Sequence, residues 1–255
     1  MRMAFLAACA MAIMACDKDP AKAEPAGATT ASTATTPPAP PPPATPTKPQ
    51  LAIDDTAVFI AGERMDVAAP DLKGRVVGAL AGKPVEGETV VLNAARDTKM
   101  AKVTAVFAAL VAKKVKGIEV HTPQRDRSPA EIVFVTTEKP SDCSAVGYIA
   151  KDSAITTWPV AGATAERFTH GMAGPDLTRG SEGIRKRVLG CDSSVFFVSA
   201  EESVTWGLTF DLARAVISPD DAALGKPGKP GKPGKPRSAA LLLKTPVPGR
   251  KVDIE

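Results

Sequence analysis

The apolar positions of the chain recur with two periods, which together predict an α+β protein. Alternating or continuous short apolar runs predict strands at residues 51–53, 58–60, 90–92, 118–122, 131–137, 146–149, 154–158 and 195–198. Apolar stripes at helical spacing predict helices near residues 72–80, 100–111, 177–188 and 203–216. Asp71 and Thr98 are expected to cap the first two helices.

This order of elements repeats at an offset of 105 residues. Pro70-Asp71-Leu72 recurs as Pro175-Asp176-Leu177, and residues 90–111 align with residues 195–216 at the same offset. Because two separated segments share one offset, we interpret the pattern as an internal repeat. It predicts two tandem small β-β-α-β-α-β domains, each a short sheet covered by two helices, at residues 51–122 and 143–218. A connector at residues 123–142 would carry the strand at 131–137, either as an edge of the first copy or as the start of the second.

The N-terminus has the pattern of a secretory signal peptide, at residues 1–15. Arg2 precedes an apolar run at residues 3–15, which would span only about 20 Å as a helix and is too short to cross a bilayer. Ile13-Met14-Ala15-Cys16 resembles the lipobox of bacterial lipoproteins, which implies a lipid on Cys16 that attaches the protein to a membrane. An ordinary cleaved signal or a short anchor are the alternatives. Residues 16–50 are rich in Ala, Thr and Pro and are predicted to be a disordered tether.

The positive charge is confined to the other end of the chain. Residues 219–255 hold eight Lys/Arg and four Asp/Glu, which account for the whole net charge of +4. The rest is neutral in sum, so no nucleic-acid partner is expected. Residues 219–255 are interpreted as a basic Gly-Lys-Pro tail that either touches an anionic polymer or phospholipid or only keeps the protein soluble.

Cysteine positions indicate a disulfide. Cys9 lies in the signal peptide and Cys16 is the lipid site, which leaves Cys143 and Cys191. In an oxidising compartment these two are expected to form a bridge, while two free thiols would suit a cytosolic protein. No metal site is expected, since the two histidines, His121 and His170, lack the spacing of paired ligands, and no cofactor is predicted.

One inserted segment, residues 158–183, is the candidate binding loop. It carries Trp158, Arg167, Phe168 and His170 among small residues. The alternative is that Trp158 and Phe168 pack as additional core.

No catalytic pattern is present in the sequence. The chain has no G-x-S-x-G motif, and the carboxylate pairs Asp54-Asp55 and Glu201-Glu202 fall at predicted turns. We therefore expect a protein that is not an enzyme. An enzyme built around the inserted segment and His170 is the least favoured alternative.

Two longer stretches resemble a known family. "LAIDDTAVFIAGERM" and "TVVLNAARDTKMAKVTAVFAALVAKKVKGIEVHT" are similar to the periplasmic domain of the ExbD/TolR family. The resemblance covers residues 51–122 and, more weakly, the second copy. It does not extend to the family's transmembrane helix, whose functional Asp has no counterpart here. It implies a periplasmic interaction module, accessory to a biopolymer-transport or envelope-energising complex.

The expected function is therefore that of an envelope lipoprotein facing the periplasm, on either the inner or the outer membrane. It would bind a periplasmic protein whose peptide extends a free sheet edge near Val120 or Val146. Anchoring to peptidoglycan is the alternative.

Overall fold

A computed structural model of the chain describes residues 49–68, 70–124, 129–136, 140–169, 171, 174–193, 195–217 and 238–254. The signal peptide, Cys16, most of the tether, His170 and the Gly-Lys-Pro repeats lie outside these residues. The predictions about them stay predictions.

The described residues form eleven strands and four helices. The strands are β1 (Gln50–Ile53), β2 (Ala57–Ile60), β3 (Glu63–Asp66), β4 (Thr89–Ala94), β5 (Gly117–Pro123), β6 (Pro129–Val135), β7 (Ala145–Ile149), β8 (Ile155–Pro159), β9 (Glu166–Phe168), β10 (Val195–Ala200) and β11 (Ser238–Leu241). The helices are α1 (Leu72–Ala79), α2 (Met100–Ala112), α3 (Leu177–Leu189) and α4 (Trp206–Ile217). None of the helices described here has the length and apolar character needed to cross a membrane.

All eleven strands belong to one mixed sheet, in the order β3-β2-β1-β4-β5-β6-β11-β10-β7-β8-β9. The prediction of two tandem small domains is therefore wrong. The reason is β6, which pairs antiparallel with β5 and parallel with β11. Strands β5 and β11 would otherwise be the last strands of two separate sheets, and β6 joins them into one. β11 lies in the segment that the sequence indicated as a tail.

The repeat is nevertheless visible in the connectivity. The first half, β1–β5 with α1 and α2, has the strand order β3-β2-β1-β4-β5. The second half, β7–β11 with α3 and α4, has the matching order β9-β8-β7-β10-β11. Strand β6 has no counterpart in the second half and lies between the two halves.

The two halves also meet through a seam, formed by residues 96–101 and 202–207. The Met100 and Ala101 N–H groups at the start of α2 donate to the carbonyls of Val204 (2.8 Å) and Glu202 (3.2 Å). In return, the Trp206 N–H donates to the Thr98 carbonyl at 2.8 Å. Since the first N–H groups of a helix lack partners within it, each loop supplies acceptors that the other helix needs.

This exchange also corrects one capping prediction. Asp71 caps α1 as expected, because its carboxylate accepts from the Gly74 N–H at 3.0 Å. Thr98 does not cap α2: its buried hydroxyl has no hydrogen-bond partner, and Lys99 occupies the N-cap position. Carbonyls from the second half take the place of the side-chain cap.

The main core lies between one face of the sheet and the four helices, and it runs through both halves. At its centre four aromatic rings, with neighbouring centroids 5.6–6.0 Å apart, come from different parts of the chain: Phe107 of α2, Phe134 of β6, and Trp206 and Phe210 of α4. Trp206 is fully buried, and its indole N–H donates to the Thr122 hydroxyl of β5 at 2.9 Å. Trp206 thus links α4 of the second half to β5 of the first half through this hydrogen bond and its packing in the core.

A second, smaller core lies on the other face of the sheet, in the second half. There the C-terminal segment, residues 242–254, packs across side chains such as Trp158, Val195 and Phe197. Its backbone is held by the Trp158 indole N–H, which donates to the Arg250 carbonyl (3.0 Å), and by the Val252 N–H, which donates to the Val160 carbonyl (2.9 Å).

Cys143 and Cys191 form the predicted disulfide, across a sequence separation of 48 residues. It joins the loop before β7 to the loop between α3 and β10. The bridge therefore fixes the second half at the ends of two neighbouring strands, since β7 pairs with β10.

We expect Trp206→Ala to lower the free energy of unfolding by about 3–5 kcal/mol, because it empties the centre of the shared core. The remaining tryptophan, Trp158, lies in the second core, so its fluorescence and the far-ultraviolet circular dichroism report on different regions. In urea both signals should move to the same lower midpoint. Leu189→Ala is the control, since Leu189 is 71% exposed and should change stability by less than about 0.5 kcal/mol. Equal midpoints for the two variants would contradict this role for Trp206.

Removal of the disulfide should also destabilise the protein. For a closed loop of this length the chain-entropy relation gives a loss of about 4 kcal/mol in the double variant Cys143→Ser/Cys191→Ser. Guanidinium unfolding of the double variant and of the wild type in reductant should then give the same lowered midpoint. A reduced wild type that unfolds at the midpoint of the oxidised protein would show that the bridge does not constrain the chain.

Candidate functional site

The candidate site is the face of the first half and of the adjoining β6 that lies opposite the main core, here called the open face. Alternation along the strands places its residues: Leu51, Leu92 and Val120 enter the core, while their neighbours point the other way. The open face comprises Ala52, Phe59, Val91, Asn93, Glu119, His121, Glu131 and Val133. Asn93 and Glu131 are exposed, and Val133 is 48% exposed.

The same face is covered in the second half. Every residue of β10, the counterpart of β4, is buried, because helices pack on one side and residues 242–254 on the other. In β4 only part of the strand is covered, and Asn93 is exposed. The described residues therefore leave one half of this face accessible, with the exposed Val133 on β6 at its border with the second half.

A groove of about 360 Å³ opens at one end of the open face. Strands β1, β4 and β5 are parallel to one another, and the groove lies at their carboxyl ends, where sheets with parallel strands commonly bind ligands. It is lined by Ile53, Asn93, Ala94, Ala95, His121, Thr122 and Pro123. Mostly small side chains line it, with the Asn93 amide and the His121 imidazole as polar groups.

Three side chains meet next to this groove. The Nε2 atom of His121 lies 2.9 Å from Oε1 of Glu119 and 3.6 Å from Oε2 of Glu131. Glu119 and His121 are two residues apart on β5 and so point to the same face, and Glu131 of β6 is directly opposite His121. Side-chain exposure is 20% for Glu119, 30% for His121 and 73% for Glu131.

This cluster was not predicted from the sequence, in which His121 and His170 lack the spacing of paired ligands. Two signals were present: Glu119 and His121 alternate within the predicted strand 118–122, and Glu131 begins the predicted strand 131–137. What was missing was the antiparallel pairing of β5 with β6, in which Pro123 opposes Pro129. The intervening residues had been assigned to a connector rather than to a hairpin.

The candidate binding loop does not come together as one surface. Trp158 lies in β8, fully buried in the second core, which matches the alternative of core packing. Arg167 and Phe168 lie on the edge strand β9, where Phe168 packs partly against the main core. His170 lies outside the described residues.

Arg167 forms an ion pair at this edge. Its guanidinium contacts the carboxylate of Asp152, whose pKa is held below its usual value by the Ala154 N–H and by Arg167. Nearby, burial raises the pKa of the Tyr148 hydroxyl, and the charge of Glu201 adds to that effect. Both shifts favour the ordinary charge states of these two groups at neutral pH.

In each of the two predicted carboxylate pairs, Asp54-Asp55 and Glu201-Glu202, the first residue accepts hydrogen bonds from loop backbone. Oδ1 of Asp54 accepts from the N–H groups of Thr56 (2.7 Å) and Ala57 (2.8 Å), which lowers the pKa of Asp54. A carboxylate oxygen of Glu201 accepts from the Lys151 N–H at 3.0 Å. These bonds hold loops in place.

The free edges are not where the sequence indicated. β5, which contains Val120, lies between β4 and β6, and β7, which contains Val146, lies between β10 and β8. The prediction that these strands offer free edges is therefore wrong. The actual edges, β3 and β9, have four and three residues and carry charged side chains such as Arg64 and Glu166, features that oppose strand addition.

The chain matches no protein-family model, no curated protein and no solved structure, so its resemblance to the ExbD/TolR family stays a prediction from sequence.

Proposed function

We propose that the protein is a non-enzymatic interaction module of the bacterial cell envelope, tethered through a lipid on Cys16. In this proposal its open face binds an extended segment of a periplasmic partner protein. The observation that supports it is the contrast between the halves, since the equivalent face of the second half is covered by residues 242–254.

The C-terminal segment provides a template for the partner. It lies across the second half with aliphatic anchors, Leu242 and Val252, against the sheet. Its backbone is held by the Trp158 indole N–H, which donates to the Arg250 carbonyl at 3.0 Å, and by the Val252 N–H, which donates to the Val160 carbonyl at 2.9 Å. This sheet thus carries a polypeptide segment on one face of its second half, and the repeat gives the first half the same strand order.

The chemistry of the open face suits such a ligand. Val133 and the half-buried Phe59 offer apolar contact, and Glu119 and Glu131 add acidic groups beside Val133. Exposed apolar residues bordered by polar ones are typical of interaction sites. The matching partner segment carries aliphatic anchors with one or more Lys or Arg residues.

Two further features support a location outside the cytoplasm. The Cys143–Cys191 disulfide is typical of oxidising compartments, and the N-terminal sequence has the signal and lipobox pattern. The sequence resemblance to the ExbD/TolR family alone suggests that the partner belongs to a biopolymer-transport or envelope-energising complex.

Site-specific photo-crosslinking in the producing bacterium tests the proposal. A photoreactive amino acid at position 133 should give an adduct with a periplasmic protein. The matched control is position 189, since Leu189 is also an exposed apolar residue but lies at the end of α3. Equal adducts at both positions, or none at 133, would contradict binding at the open face.

The purified partner then provides a quantitative test. Val133→Asp should weaken its binding at least tenfold, about 1.4 kcal/mol, while Leu189→Asp should have no effect. If instead the protein sediments with purified peptidoglycan sacculi and Val133→Asp does not change that, the protein is a cell-wall anchor and the proposed partner site is wrong.

A further inference from the structure

We propose that Glu119, His121 and Glu131 form a binding site for a divalent transition-metal ion on the open face. The donor atoms of the three side chains all lie within 4.8 Å of one another. They come from two paired strands, so backbone hydrogen bonds fix the spacing of their Cα atoms. This inference depends on the hairpin geometry alone and holds whether or not the open face binds a partner.

The distances between donor atoms suit one shared ion. Two ligand atoms at about 2.0–2.2 Å from a zinc ion lie roughly 2.8–3.6 Å apart for angles between 90° and the tetrahedral value. The separations of the His121 Nε2 atom from Glu119 (2.9 Å) and Glu131 (3.6 Å) fall within this range. Glu131 is the most exposed of the three, so its carboxylate can turn toward the ion by a change of side-chain rotamer.

The set of donors indicates the class of metal. One imidazole nitrogen and two carboxylate oxygens suit Zn²⁺, Co²⁺ or Mn²⁺ better than Ca²⁺ or Mg²⁺, which prefer oxygen ligands alone. An ion also offsets the repulsion between two carboxylates that share one histidine.

Three protein ligands leave at least one coordination position for water or another molecule. That position can be reached from the groove at the carboxyl ends of β1, β4 and β5, because His121 also lines this groove. Asn93 lies directly opposite His121 on β4, and its amide donates to the Leu51 carbonyl at 3.4 Å. The geometry therefore points to an ion held at the edge of the groove, where it can contact a carboxylate or imidazole of a bound ligand.

Zinc titration of the purified mature chain tests the site. The protein carries Cys16→Ser, so that no unlipidated thiol competes for the metal, and the purification tag is removed. Calorimetry should show one Zn²⁺ per chain. Co²⁺ should give visible absorption bands that Zn²⁺ abolishes.

Variants locate the ion. His121→Ala and Glu131→Gln should each weaken Zn²⁺ binding at least tenfold, with circular dichroism unchanged because both side chains are partly exposed. His170→Ala removes the other histidine and Glu63→Gln removes an exposed carboxylate at the sheet edge, so both should bind Zn²⁺ like the parent. In amide NMR spectra, sub-stoichiometric paramagnetic Mn²⁺ should broaden signals of β5 and β6 first.

Three results would overturn the inference. The first is no stoichiometric binding of Zn²⁺ or Co²⁺ at millimolar metal. The second is binding that survives His121→Ala and Glu131→Gln. The third is binding that is lost in His170→Ala. In each case the His121 cluster would be an ordinary hydrogen-bonded group between two strands.

Discussion

The seam between the two halves is the interaction on which the rest of the structure depends. Two loops in equivalent positions of the repeat exchange backbone hydrogen bonds, so that α2 begins on carbonyls of the second half. The Arg96 guanidinium also donates two hydrogen bonds to the carboxylate of Asp211 in α4. In one of them, Nη1 of Arg96 lies 3.1 Å from Oδ1 of Asp211. Each such bond contributes about 1 kcal/mol, and the buried aromatic cluster around Trp206 adds the larger, apolar part.

Joining the halves also creates the site. Strand β6 fills the gap between β5 and β11, and in doing so it brings Glu131 and Val133 onto the open face. Because β6 occurs only once, the first half acquires a hairpin that the second half lacks. The second half instead receives residues 242–254 across its face, which leaves only the first half accessible among the described residues. The two halves thus differ: residues 242–254 cover this face of the second half, whereas the described residues leave that of the first half accessible.

Local structure was predictable from the sequence, and long-range pairing was not. The apolar periods located the four helices and eight of the strands, and the cysteine count indicated the correct disulfide. Strands β3 and β9 escaped notice because they are short and largely charged, with only Met65 of β3 buried. β11 was missed because it follows a long polar segment and has only four residues. The single sheet depends on the pairing of β6 with β11. Nothing in the sequence of residues 131–137 indicates that this strand pairs with one more than 100 residues later in the chain.

The candidate site was likewise predictable only in its local part. The alternation of Glu119 and His121 is local and visible in the sequence, whereas their meeting with Glu131 requires the register of the β5–β6 hairpin. Thr98 shows the reverse case, since a good local capping signal is overridden by tertiary contacts from Val204 and Glu202. Local patterns specify elements, and contacts between halves decide which of their side chains become exposed.

Native-state hydrogen exchange of backbone amides tests the central claim most directly, namely that the seam makes the two halves one cooperative unit. The slowest amides of β4, such as that of Leu92, should exchange with the same opening free energy and denaturant dependence as those of β10, such as that of Val198. An opening of the first half at markedly lower free energy, with β10 still protected, would contradict it.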